Sequence, residues 1–196
     1  MHLPLVVKLG GSLISHVAEI VPILQHAGRP ILIVPGGGPF ADLVRRYHIN
    51  DENSHWMAVA AMDEYGWYIG GHGVPVTERL AVPDRTLVYL PYLGMRSTDP
   101  LPHSWDISSD TIAAWIANQV GLDLVLLKSV DGIRVNGSRV REIREPVACE
   151  ELDPCFIRFV LAHKVRATII NGLHRDRIER VLAGQPVLGT TIYTTF

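Results

Sequence analysis

Three short runs, residues 5–9, 30–34 and 124–127, are apolar at nearly every position rather than at alternate ones, and they are followed by Gly10, Pro35-Gly36 and Lys128 respectively. A strand can carry such a run only if both of its faces are buried. Between these runs, apolar residues recur at helical spacing, as at Phe40, Leu43 and Val44 or along 54–68. Buried strands alternating with helices define an α/β fold, a mainly parallel sheet covered by helices on both faces. Further strands are expected at 86–90, 167–170 and 190–194, and helices at 14–26, from Ser108 or Ser109 through Ala117, at 153–163 and at 175–182. Pro22 lies inside the first of these helices, a position that favours a kink. Residues 70–85 and 91–104 read as irregular. Asn136-Gly137 between short apolar segments signals a β-hairpin, expected at one edge of the sheet.

The 196 residues suffice for one well-buried core, and neither a repeat nor a linker divides them, so residues 1–196 are expected to form a single domain. A formal net charge of -2 argues against a broad nucleic-acid surface. No apolar run reaches the roughly 20 residues of a membrane span, and the first apolar stretch, interrupted by Lys8, lacks the marks of a signal peptide. A cytoplasmic protein is expected. Cys149 and Cys155 form neither a CxxC motif nor a disulfide framework, and the nine histidines show no metal-ligand spacing. Only three of the 18 basic residues are lysines, Lys8, Lys128 and Lys164. A position that keeps lysine in an arginine-rich chain hints at a need for a compact ammonium.

In parallel sheets, ligands gather outside the carboxyl ends of the strands. Three unusual segments fall there: Lys8-Leu9-Gly10-Gly11-Ser12, Pro35-Gly36-Gly37-Gly38, and Lys128-Ser129-Val130-Asp131-Gly132. Glycine lets backbone N–H groups approach an anion, and two such turns beside two lysines suit a polyphosphate. Turn chemistry alone would also explain any single glycine turn. A P-loop is absent, because Leu127 rather than glycine precedes Lys128. Residues 36–41 fit GxGxxA, which leaves a dinucleotide site open, although Pro39 lies inside the turn and no acidic residue ends a following strand at the right distance. Asp110 falls in the first turn of an alanine-rich helix. It can complement the helix dipole, or it can hold two lysines in register around a phosphoryl group. Spacing does not choose between these.

Taken together, VVKLGGSL, IVPGGG, DISSDTIAAWIANQVG, LVLLKSVDGI and GQPVLGTTI resemble, in order and spacing, the amino acid kinase family. The resemblance implies ATP-dependent phosphorylation, with Mg2+ held largely by phosphate oxygens and no protein metal site. It implies Lys8 at the transferring phosphoryl group; Gly10, Gly11 and Ser12 on donor phosphates; Gly36, Gly37 and Gly38 on the acceptor side; Asp110 orienting the cations; and Ser129, Asp131 and Gly132 along the nucleotide. A homo-oligomer, a dimer or larger, is expected, with the helix at 54–68 as a contact. Many members carry a second catalytic lysine before the penultimate helix. Residues 150–153 hold none, and Lys128 is expected to supply that cation.

Within the family, PGGGPFADLVR, HWMAVAAMDEYG and LPHSWDISSD are similar to the kinases of methanofuran and methylofuran biosynthesis, which convert an aminomethylfuran phosphate to its diphosphate. Such an acceptor needs cations, for which Arg45, Arg46 and His55 are candidates, unless the arginines form only a solvated helix face. His103 is a second histidine of interest. The furan needs a flat slot, which Trp56, Met57, Met62 and Trp105 can provide, unless they are ordinary core. The ammonium needs a carboxylate, with Asp63, Glu64 and Asp106 as candidates. Three rivals remain: a family member using isopentenyl phosphate, uridylate or acetylglutamate, a nucleotide-binding regulatory protein without transfer, and a dinucleotide-binding protein.

Overall fold

The structure, a computed structural model, describes residues 3–47 and 49–194. The buried runs form strands β1 (Leu5–Leu9) and β2 (Ile31–Pro35), then β3 (Val76–Thr77), β4 (Leu87–Tyr89), β5 (Leu124–Lys128), β6 (Arg134–Val135), β7 (Ser138–Arg139), β8 (Glu142–Ile143), β9 (Ala167–Asn171) and β10 (Gly189–Ile192). The helices are α1 (Val17–Gln25), α2 (Gly38–Arg46), α3 (Asp51–Gly70), α4 (Tyr92–Thr98), α5 (Ser109–Val120), α6 (Phe156–Ala162) and α7 (Arg175–Leu182). Eight strands make one sheet in the order β3-β4-β2-β1-β5-β9-β10-β8, and only the β9–β10 pairing is antiparallel.

Side chains alternate across a strand, and two cores result. Val6, Leu126 and Ile169 pack with Ile116 of α5 and Phe156 of α6 on one face. Val7, Leu127 and Ile170 pack with Ile20 of α1 and Ile178 of α7 on the other. The same alternation places Lys8 with Val6, and Lys128 with Leu124 and Leu126, on the α5 face. Lys8 lies opposite Leu126 in the β1–β5 register, so Lys128 projects one side-chain step further along the same face.

The hairpin forms, with Asn136 at φ 51° and Gly137 at φ 78°, as a two-residue turn of its hand requires. Its strands β6 and β7 pair only with each other, in a separate two-stranded ribbon. The edge of the main sheet is taken by β8, just beyond it. Residues 91–104 are not wholly irregular, since α4 occupies Tyr92–Thr98. Its cap is supplied from afar, as the Asp63 carboxylate on α3 accepts from the Tyr92 N–H at 3.0 Å. The loop at 70–85 includes the two-residue β3. The first helix opens as a 3₁₀ turn at Gly11–His16 and contains Pro22 within α1.

Candidate active site

The lysine ends of β1 and β5 meet the first turn of α5. Lys8 Nζ lies 2.6 Å from Asp110 Oδ1, and Lys128 Nζ lies 2.6 Å from Asp110 Oδ2. Lys8 is 4% exposed and Asp110 3%, so both charges are held almost out of water. Burial pulls the Lys8 ammonium below the usual lysine range, with Asp110 opposing. Burial alone would raise the Asp110 carboxyl, but Lys8 and Lys128 outweigh it and hold it below the usual carboxylate range. Two ammonium groups share this one carboxylate in direct contact, and Asp153 acts on Lys8 from further off.

Asp110 is placed by its own helix end. Ser108 caps α5, its Oγ accepting from the Asp110 N–H at 3.2 Å. Asp153, ahead of α6, then accepts from the Ser108 N–H (3.0 Å) and Oγ (2.8 Å) and from the Thr111 N–H (3.0 Å) and Oγ1 (2.5 Å), as well as from the Cys155 N–H (3.2 Å). Asp153 is a positioning residue that the sequence did not reveal, because Ser108 and Thr111, which it ties to the site, lie more than forty positions away. Only its acidic type beside a helix start hints at the role.

The two glycine turns pack backbone against backbone. A Cβ on Gly11 would lie 2.3 Å from the Gly38 Cα, and one on Gly36 would lie 2.8 Å from the Gly11 N. Gly36 itself is buried beneath this contact, its N–H donating to the Leu9 carbonyl. Tyr65 of α3 donates to the Gly10 carbonyl at 3.3 Å and ties α3 to the same turn.

Above these groups opens a cavity of about 530 Å³. It brings together Lys8, Gly10, Gly11, Ser12, Gly37, Gly38, Arg45, His55, Asp110 and Lys128 from the residues singled out in the sequence. Gly36, Ser129, Asp131, Gly132 and Asp106 are not among its lining residues. Past β5, the Asp131 carboxylate accepts from Asn171 Nδ2 (2.9 Å) and Arg177 Nη1 (2.5 Å), and Asn171 and Arg177 hold it below its usual range. Gly132, at φ 128°, packs on Thr190. Asp106 lines a separate depression with Cys149 and Cys155.

One stripe of α3 forms a wall of the cavity: Asp51, Ser54, His55, Ala58, Val59 and Met62, a spacing that keeps to one helix face. Trp105, Ile107 and Ile112 also contribute apolar surface to the lining. Met62 and Trp105 therefore reach the cavity, whereas Trp56 is core and Met57 is exposed. Arg45 bonds Asp42 at 2.6 Å and lies over the Trp105 ring, 5.4 Å from its centre. His55 stacks on His103 with ring centres 4.4 Å apart. Burial, then His103, lowers its pKa, with Asp99 opposing. His55 Nε2 and Ser54 Oγ are buried and find no hydrogen-bond partner among the described residues. The carboxylates in the lining besides Asp110 are Asp42 and Asp51 rather than Asp63, Glu64 or Asp106.

The model of the amino acid kinase family matches residues 4–66, and the mainly parallel fold is shared with solved kinases. UMP kinase from Bacillus anthracis superposes with a TM-score of 0.72 at 15% identity, covering 98% of this chain and 96% of that one. Isopentenyl phosphate kinase gives a TM-score of 0.66 at 16% identity, covering 96% of this chain and 100% of that one. In sequence, the chain is similar to [5-(aminomethyl)furan-3-yl]methyl phosphate kinase from Methanocaldococcus jannaschii, with 26% identity across 95% of this chain and 96% of that protein. All three relatives are kinases. No helix among the described residues is long and apolar enough to cross a membrane.

Proposed function

We propose that the chain is an ATP-dependent kinase that converts a small phosphate monoester to its diphosphate, with [5-(aminomethyl)furan-3-yl]methyl phosphate as the acceptor. The observation that carries this reading is the pair of ammonium groups, Lys8 buried and Lys128 half-buried, on one carboxylate at the cavity wall. Two ammonium groups that share one carboxylate at the cavity wall favour the charge that develops on a transferring phosphoryl group.

In the reaction, an acceptor phosphate oxygen attacks the γ-phosphorus of ATP, the bond to the β–γ bridging oxygen breaks, and ADP leaves. A phosphate monoester is already largely dianionic at neutral pH, so no strong general base is needed. Lys8 and Lys128 neutralise the transferring group, and Asp110 keeps both in place. Gly10, Gly11 and Ser12 take donor phosphates, and Ser129, Asp131 and Gly132 flank the nucleotide. Gly36 supports the turn from which Gly37 and Gly38 meet the acceptor. Magnesium enters with the nucleotide. Phosphate oxygens would supply most of its coordination, and the ion would help neutralise the charge on the transferring group.

The α3 stripe supports the acceptor. From Met62 to Asp51 the helix rises about 16 Å, passing from apolar surface to Ser54, His55 and a carboxylate. An acceptor with phosphate at one end, a flat ring in the middle and an ammonium at the other fits that gradient. Arg45 and His55 lie along it, with Asp51 and Asp42 as the counter-charges. We also infer a homo-oligomer, because Met57, Trp67 and Tyr68 leave large apolar surface exposed on the outside of α3. Light scattering on the purified chain measures that state.

The test of the reaction is ADP release from Mg–ATP with the furan phosphate, isopentenyl phosphate, uridylate and acetylglutamate in parallel. Selective turnover of the furan phosphate, with a diphosphate in the phosphorus NMR spectrum, is expected. Turnover of another acceptor alone overturns the acceptor, and ATP binding without turnover of any overturns the kinase.

A further inference from the structure

A second depression, about 950 Å³ in volume, lies at the opposite ends of the strands that carry the lysines. Leu5 begins β1 and Leu124 begins β5, and both line it, whereas Lys8 and Lys128 end the same strands. Its floor includes Val125 and Thr168 on the α7 face of the sheet, away from α5. It shares no lining residue with the catalytic cavity.

Its chemistry is unlike the chain's average. In a protein of formal net charge -2, Arg29, Arg139, Arg141, Arg166, Arg177 and Arg180 all line this one depression, against the carboxylates Asp123 and Asp176. Asp131 takes up Arg177 from outside the lining, and Glu142 stands within electrostatic reach of Arg166, so positive charge remains in excess.

Backbone carbonyls orient three of these guanidiniums, and Asp123 also acts on Arg29. Arg139 Nη1 donates to the Gly189 carbonyl at 2.8 Å and Arg180 Nε to the Pro186 carbonyl at 2.9 Å. Arg29 donates to the carbonyls of Leu3 (2.6 Å) and Leu182 (3.2 Å). A carbonyl fixes a guanidinium yet leaves its charge and most of its five N–H donors available.

We propose that this depression is a second ligand site, for a small organic diphosphate or triphosphate. Planar guanidinium forks pair with phosphate oxygens two bonds at a time, and several phosphates in one ligand are needed to engage this many arginines. The volume exceeds what a single phosphate or carboxylate fills. Val181, Val187 and Leu188 supply an apolar wall for the organic part. Arg177 joins the site to Asp131, three residues past Lys128, so the ligand would touch a side chain bonded to the segment behind the catalytic lysine. The inference does not depend on which acceptor the enzyme phosphorylates.

Calorimetric titration with inorganic tripolyphosphate, without nucleotide, tests it, and ADP in a second titration reads the contribution of an organic part. The wild type should bind tripolyphosphate in two events. Arg141→Gln combined with Arg166→Gln, both at exposed positions, should weaken one event at least tenfold while leaving Tm unchanged. Lys8→Ala should remove the other. If the pair of substitutions lowers Tm, Arg141→Gln alone should still weaken the same event. A single event that Lys8→Ala abolishes and the arginine changes leave intact overturns the proposal, as does the absence of any binding.

Discussion

Lys8 and Lys128 stand on adjacent parallel strands and donate to different oxygens of one carboxylate, each at 2.6 Å. Strand alternation brings both to the α5 face, and the first turn of α5 delivers Asp110 between them. Neither lysine can be moved without releasing a bond to a group that is itself almost wholly buried. The arrangement is therefore fixed before any substrate arrives, as electrostatic stabilisation of a transition state requires.

Replacing Asp110 with Asn leaves two ammonium groups close together with no counter-charge between them. Removing one partner of a buried ion pair costs on the order of 3–5 kcal/mol, and Asp110→Asn should lose stability of that order in urea unfolding. Turnover should fall as the lysines separate.

The same carboxylate sets a pH dependence. Lys8 and Lys128 hold the folded-state pKa of Asp110 below its unfolded value. Its contribution to stability is thus fully present above the ordinary carboxylate range and is lost as the pH falls through the lowered value. Asp63 works in the opposite sense. Burial pushes its pKa up to about 6, with the Tyr92 N–H opposing. Between the ordinary carboxylate value and about pH 6, the native state binds the extra proton, so stability declines as the pH rises. Asp63→Asn, which keeps an acceptor for the Tyr92 N–H, should flatten that decline in thermal unfolding between pH 4 and 7.

Asp153 touches neither lysine directly but holds the turn that carries Asp110. Hydrogen bonds to a charged group contribute about 1.5–3 kcal/mol each, and the bonds made by Asp153 are not independent. Asp153→Ala should lose about 2–4 kcal/mol and should lower hydrogen-exchange protection at residues 108–112. It should reduce kcat more than KM for ATP, with Asp153→Asn recovering part of both. A merely structural role would lower stability without that kinetic split.

Gly11→Ala would force the two glycine turns apart, because the new Cβ meets backbone rather than a movable side chain. Overpacking of this kind costs about 1–3 kcal/mol. Activity should fall by two orders of magnitude or more, since alignment at the phosphates is disturbed, and a crystal structure should show the Gly38 turn displaced.

Much of this was legible in the chain. Strands β1, β2 and β5 are apolar at nearly every position, and only burial on both faces accommodates that. The lysines could be placed because a strand's end marks where ligands gather. What escaped is tertiary. Helix α4 follows Pro91 and contains Gly94, and its cap is a carboxylate 29 residues earlier. The cavity-facing stripe of α3 was hidden because that helix is apolar on several sides, giving Trp56, Val59 and Met62 to one core and Tyr65 and Ile69 to the other. For the same reason Asp63 and Glu64 were set forward where Asp51, at the helix start, lines the cavity. The hairpin turn could be read from Asn136-Gly137, but its separation from the main sheet depends on pairing partners that local sequence does not specify.

The central claim is that Lys128 supplies the second cation of phosphoryl transfer, and the most direct measurement is the kinetics of Lys128→Ala. Using the acceptor that the wild type turns over, kcat should fall about 10²–10³-fold, with KM for ATP changing less than threefold and, because Lys8 still pairs with Asp110, a smaller loss of stability than Asp110→Asn. Turnover close to the wild-type rate would contradict the account and leave Lys8 as the cation that acts alone.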